Sequence, residues 1–328
     1  MPGSIRISAA AAGAALVLLT ACSGGGGAGN SGDQTTIDLA AVENGIEEVS
    51  SIIGVCRTGA GLRSTVDPNP VTDRVAWLAR LLQRRPGANL RATWEHLGLG
   101  PVKPDDSFGD CGGRITYPSY NHSNGTTTGT LQFDNYCSAD FQTGEQSVTN
   151  GSISFVNHGT PSASGPITTS TEADSPSGVT LITKTSGGSQ LSNQKLSFTD
   201  FLYDVGVPGG FPSASNPDEI TLADSRVTDQ VSGKSYRQSD LDLIQFTTAS
   251  GGQQQTMSAR LYRSSGEYFD MNTTIPVVTN ASGAYTGGQF TFTGANGSTA
   301  VMTLVPGATL QATMTVNGTP VTNVPACH

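Results

Sequence analysis

Charged and aromatic side chains are in short supply in this chain of 328 residues, at 13% and 6%. Helix formers are also scarce. Together with 41 glycines and abundant Ser and Thr, this describes short strands and polar turns and excludes a helical bundle. Apolar residues reach only 36% but come in alternating runs, which excludes wholesale disorder. No CxxC pair occurs and the histidines, His96, His122, His158 and His328, are scattered, so no zinc or other metal site is expected. There is no GxSxG elbow for a nucleophilic hydrolase. The absence of a repeat at fixed period removes solenoids and propellers. No cofactor is expected.

The net charge of -9 is unevenly placed. Residues 33–50 hold five acids and no base, 57–103 hold eight bases against three acids, and from 104 onward eight bases face eighteen acids. A nucleic-acid partner is therefore not expected. The basic stretch reads as a solvated helix face docked on an acidic domain.

The amino terminus is distinct. Arg6 beside the free amine, the apolar stretch Ile7 to Leu19 and the small Thr20 and Ala21 make a secretory signal over 1–21, too short to span a bilayer. Leu19-Thr20-Ala21-Cys22 resembles the lipobox of bacterial lipoproteins. That resemblance implies cleavage before Cys22, thioether lipidation of Cys22, and acylation, palmitate in kind, of the new amino terminus. Two or more acyl chains anchor a protein firmly. Ser23 rather than an acid after the cysteine implies, within the same resemblance, sorting to the outer membrane. The glycine-rich residues 22–35 read as a flexible tether.

A helical lead is expected over 36–103. Leu39, Val42, Ile46, Val49 and Ile53 recur at three- and four-residue steps. A second helix fits Thr72 to Arg85, stopped by Pro86-Gly87, and a third, shorter one fits Asn89 to Leu97.

From Cys111 the period becomes two, and 104–328 reads as an antiparallel β domain. In CGGRITYPSYNHSNGTTTGTLQFDNYC a three-residue loop Ser123-Asn124-Gly125 makes facing residue numbers sum to 248. Tyr117 then faces Leu131, Ile115 faces Phe133 and Cys111 faces Cys137, all on one side of the ribbon. Ile153 and Phe155 are expected to pair back onto Leu131 to Asn135. Nine further strands are expected at 178–184, 194–205, 219–231, 235–246, 255–263, 267–275, 288–294, 298–305 and 308–316, separated by Gly-, Asn- and Ser-rich turns. The expected fold is mainly β: a large antiparallel meander curled into a barrel, half barrel or sandwich, preceded by two or three short helices.

GTLQFDNYC with NGSISF, and the closing GGQFTFTGANGSTAVMTLVPGATLQATMTV, resemble uncharacterised bacterial lipoproteins that have a helical lead, a CGG start and Gly/Thr-rich meander strands. The resemblance implies architecture and no activity. Many of those proteins close with an acidic DxDGDG-like turn; Val316-Asn317-Gly318-Thr319 stands here, against a calcium site.

Beyond Cys22, four cysteines in an exported chain read as two disulfides with three possible connectivities. The hairpin register pairs Cys111 with Cys137, leaving Cys56 with Cys327. The latter bond would bring the tether-bearing end to the end of the sheet and turn the 206–218 loop away from the membrane. In that loop, GVPGGFPSASNPD, Phe211 either pins the loop to the sheet or marks a binding site. The leading functional expectation is a non-enzymatic, membrane-anchored envelope lipoprotein whose sheet is a structural or protein-binding surface. A carrier of an apolar ligand is the second expectation and a hydrolase the third.

Overall fold

Thr, Val and aromatic residues set between small polar ones favour pleated backbone, and almost all the chain that can be described is strand. The computed structural model describes residues 34–37, 55–58, 61–64, 106–139, 146–160, 167–208, 210–231, 233, 235–262, 266–282, 284–306 and 311–321. Two short strands come first, β1 (Val55–Thr58) and β2 (Gly61–Ser64), then β3 (Ser107–Phe108). The meander follows with β4 (Arg114–Ser123), β5 (Thr126–Ala139), β6 (Gln146–Thr160), β7 (Ile167–Lys184), β8 (Gln190–Asp204) and β9 (Asp218–Asp229). It continues through β10 (Ser235–Thr247), β11 (Gln253–Tyr262), β12 (Tyr268–Thr279), β13 (Tyr285–Thr293), β14 (Thr299–Val305), β15 (Gln311–Val316) and β16 (Thr319–Pro320).

All sixteen strands belong to one antiparallel sheet, in which β3 to β15 lie side by side in chain order. β2 takes the far side of β15, with β1 outermost. No pairing joins β1 to β3 among the described residues, so the sheet is open and the closed-barrel option of the sequence reading falls. The three expected helices lie outside the described residues. Between the first and second of those expected helices, Val55–Thr58 and Gly61–Ser64 pair as an antiparallel hairpin.

The β4–β5 register holds for a different reason than its turn arithmetic supposed. Asn124 and Gly125 both have positive φ, 51° and 76°, which makes a two-residue turn with Ser123 paired to Thr126. Near the turn facing numbers therefore sum to one more than expected. A bulge between Thr116 and Ser119 removes the extra residue, so Ile115 does face Phe133. A second bulge, between Phe133 and Tyr136 on β5 with Asn135 at φ 49°, shifts the end of the strand by one. Tyr136 and Ser138 then point inward with Leu131 and Phe133, and Cys137 turns to the opposite face. The cysteines still meet, but not on the side of the apolar pairs. Asn150-Gly151, a dipeptide common in turns, sits instead inside β6, where Asn150 Oδ1 accepts the Asn135 N–H at 2.8 Å and satisfies the bulge.

The middle of the sheet kinks in concert. Asp200 on β8 and Asp240 on β10 each have φ 53°, and the registers put both opposite Ala223 of β9. Each strand steps through one extra residue at the same level, so the inward rows Phe198/Ser225/Gln238 and Phe201/Leu222/Leu241 both face the core. The core is a single cluster on that face, from Ile115 on β4 to Val316 on β15, joined by Ile37.

Candidate functional site

Alternate turns of a meander lie at opposite ends of its strands, and the two ends differ. At one end the chain arrives from the expected tether. Gln34 bridges to Tyr268, the first residue of β12, and the Thr35 N–H donates to Tyr268 O at 2.8 Å. The Gln34 amide donates to Thr293 O at 3.0 Å, and the Ile37 N–H to Ser298 Oγ at 2.8 Å. Asn317 Nδ2 donates to Ile37 O at 3.2 Å, and the Ile37 side chain is wholly buried. Gln34–Ile37 thus crosses the ends of β12 to β15 and seals that end of the core. Cys111 and Cys137 are at the same end, disulfide-bonded with Cα atoms 5.1 Å apart. Cys22 and Cys327 lie outside the described residues, and Cys56 is on β1 facing Arg63.

The other end carries the loop between β8 and β9. Phe211 is 75% exposed, so it does not pin the loop. Asp218 does: its buried carboxylate accepts the Tyr203 O–H at 2.9 Å and the Gly206 N–H at 3.0 Å. The Thr247 N–H holds the loop further along, donating to Pro212 O at 3.1 Å. The sequence does not show this role of Asp218, because both of its partners, Tyr203 and Gly206, stand across the loop from it, at the end of β8.

Inside this end the core face turns polar. Across β4 to β8, His122 faces Thr127, Thr127 faces Asn157, Asn157 faces Thr171 and Thr171 faces Tyr203. Thr127, Asn157 and Thr171 are fully buried. Thr127 Oγ1 bonds His122 Nδ1 at 2.8 Å, whereas both polar atoms of the Asn157 amide and Thr171 Oγ1 have no partner.

Two histidines near this end stand on opposite faces, His122 inward and His158 outward. His158 lies between Thr126 Oγ1 at 3.3 Å and Glu172 Oε1 at 3.4 Å. This is a hydroxyl, imidazole and carboxylate in the order of a hydrolase relay, but the imidazole and carboxylate side chains are 40% and 57% exposed, so water screens any charge developing there. Asp204 and Asp242 are on the outward face, and Asp204 faces Glu219 directly. Among the described residues no three His, Cys, Asp or Glu side chains are grouped to hold a metal. No helix among them is long and apolar enough to cross a membrane.

On β9 to β12 the outer face carries a ladder. Arg237 Nε reaches Asp224 at 2.8 Å and its guanidinium lies 4.5 Å from the Tyr262 ring centre. Arg260 repeats this with Asp270 at 3.0 Å and Tyr268 at 4.2 Å. These contacts brace neighbouring strands rather than gather reactive groups. No protein-family model, curated protein or solved structure matches this chain.

Proposed function

We propose that this chain is a bacterial envelope lipoprotein, anchored through lipid at Cys22 to the outer membrane in keeping with Ser23, whose sheet is a non-enzymatic structural or protein-binding module. The observation that carries this reading is the filling of the inward face. Phe133, Phe198, Phe269 and Phe292 and the aliphatic residues Leu131, Ile153 and Leu222 between them are each less than 2% exposed. Side chains this enclosed are packed against one another, as in a protein interior, which favours a scaffold over a carrier holding an apolar ligand. The single ladder with two open edges supports a half barrel rather than a sandwich, since no second sheet stands among the described residues.

Native mass spectrometry of the protein purified from its own host tests the reading. The expected result is an acylated, diacylglyceryl-modified Cys22 as first residue, with no other retained lipid. A stoichiometric apolar ligand released on unfolding would favour the carrier. A mature chain beginning elsewhere with an unmodified Cys22 would overturn the anchor.

A further inference from the structure

We infer that Asn317-Gly318, the turn between β15 and β16, is a site of spontaneous deamidation that the docked Gln34–Ile37 segment holds in check, and that its conversion loosens the seat of that segment. The inference is independent of the anchor at Cys22 and adds a covalent modification site to the sheet. The chemistry is local. The Gly318 backbone nitrogen attacks Asn317 Cγ, so that a new C–N bond forms. The Cγ–Nδ2 bond breaks, and Nδ2 leaves with the Gly318 proton as ammonia. Water then opens the resulting succinimide at either carbonyl, giving aspartate or isoaspartate. Glycine after asparagine favours the attack because it has no side chain to hinder the incoming nitrogen.

Two Asn-Gly turns of this sheet form a matched pair. Asn124 and Gly125, between β4 and β5, have φ 51° and 76°, and Asn317 and Gly318 have 48° and 78°. Each is a two-residue hairpin turn, with Ser123 paired to Thr126 and Val316 to Thr319. Both asparagines are exposed, so water reaches both. Their carboxamides differ. Asn124 lies at the distal end, which carries the loop between β8 and β9, and makes no side-chain hydrogen bond among the described residues. Asn317 is tied by both polar atoms: Oδ1 accepts the Thr299 N–H at 2.8 Å, and Nδ2 donates to Ile37 O at 3.2 Å. Its backbone N–H also donates to Thr299 O at 2.8 Å. A carboxamide gripped at both ends does not turn its Cγ toward Gly318 or lose Nδ2 until Ile37 lets go. Gly318 adds no barrier of its own, since nothing lies within 4 Å of where a Cβ would stand.

The product does not fit back. In aspartate an oxygen takes the place of the Nδ2 donor and meets Ile37 O as acceptor against acceptor. In isoaspartate the main chain runs through Cγ, and the turn gains a backbone atom. Either way the segment loses its bond to the C-terminal hairpin and keeps only those to Tyr268, Asp270, Thr293, Ala295 and Ser298. A brief local opening thereby becomes permanent.

The test incubates the full-length protein in mildly alkaline buffer and counts aspartate and isoaspartate at each turn by peptide mapping in a mass spectrometer. The expected rate at Asn317 is about tenfold below that at Asn124, because two side-chain hydrogen bonds must open first. Ile37→Ala removes the buried side chain of the segment without touching either turn. It should raise the Asn317 rate to that of Asn124 and leave Asn124, the internal control for general opening of the fold, unchanged. Equal rates in the unaltered protein, an Asn317 rate indifferent to Ile37→Ala, or a rise at both turns alike overturns the gating. Asn317→Asp reproduces one product directly and does not depend on the Ile37 variant folding. Limited proteolysis should cut it within residues 34–37 several times faster than the unaltered protein, and an unchanged cleavage rate overturns the loosening.

Discussion

Tyr117 shows how much one buried polar atom changes. It is 7% exposed on the inward face of β4, and burial, followed by nearby Tyr120 and Asp106, pushes its phenol up from 10.0 to about 12. The folded state holds this proton more tightly than the unfolded one, so the contribution to stability is complete below pH 10 and is lost as pH rises toward 12. At about 1.4 kcal/mol per unit it amounts to at most about 3 kcal/mol. Tyr117→Phe should therefore narrow the alkaline loss of stability, measured as the urea midpoint from pH 9 to 12; parallel curves for the two proteins would refute this. Thr149 and Thr171 test the opposite case, hydroxyls fully buried with no partner. Thr171→Val and Thr149→Val should each stabilise by about 1 kcal/mol, because an unpaired buried hydroxyl is removed at constant shape. Destabilisation in denaturant titrations would mean that those hydroxyls are bonded after all.

Hairpins made the sheet legible in the sequence. Alternation and Asn/Gly turns located the strands after Cys111, because a meander pairs each strand with its neighbour in the chain. What alternation does not carry is a bulge: Asn135, Asp200 and Asp240 look like any polar residue of the wet face, yet each is a positive-φ step that reverses which side follows. The Cys111–Cys137 pair was foreseen although its face was not, since two compensating one-residue shifts leave a partner unchanged. Its loss in a Cys111→Ser, Cys137→Ser double variant should cost about 3 kcal/mol on the chain-entropy model, for a sequence separation of 26; an unchanged melting temperature would rule that out. Turn glycines divide by surroundings. Gly125 at φ 76° would place a Cβ 2.7 Å from the Gly159 carbonyl oxygen, while Gly188 at φ 84° has nothing within 4 Å. Gly125→Ala should cost about 2 kcal/mol more than Gly188→Ala, which bears only the conformational penalty of about 1 kcal/mol. Equal unfolding midpoints would contradict this.

For the molecule as a whole, the distal loop was visible as a long Pro-rich interruption. The contacts of Gln34–Ile37 were hidden because their partners lie more than 230 residues away. Ile37→Ala should cost about 2 to 4 kcal/mol, as truncation of a buried aliphatic does, and should speed proteolysis between the tether and the sheet. Unaltered stability with an unaltered cleavage rate would show that the segment is not part of the cooperative fold. The same contacts have a consequence for the order of assembly. The chain is made from its amino terminus, so Ile37 emerges before any strand, and its seat is built from β12 to β15, nearly the last to arrive. Each hairpin can zip onto the one before it with short loop closures, but the first residues must wait for the final ones. A chain cut short before β12 would hold a formed stretch of meander and an Ile37 with no seat, leaving a hydrophobic side chain exposed near its amino terminus as a flag of incompleteness.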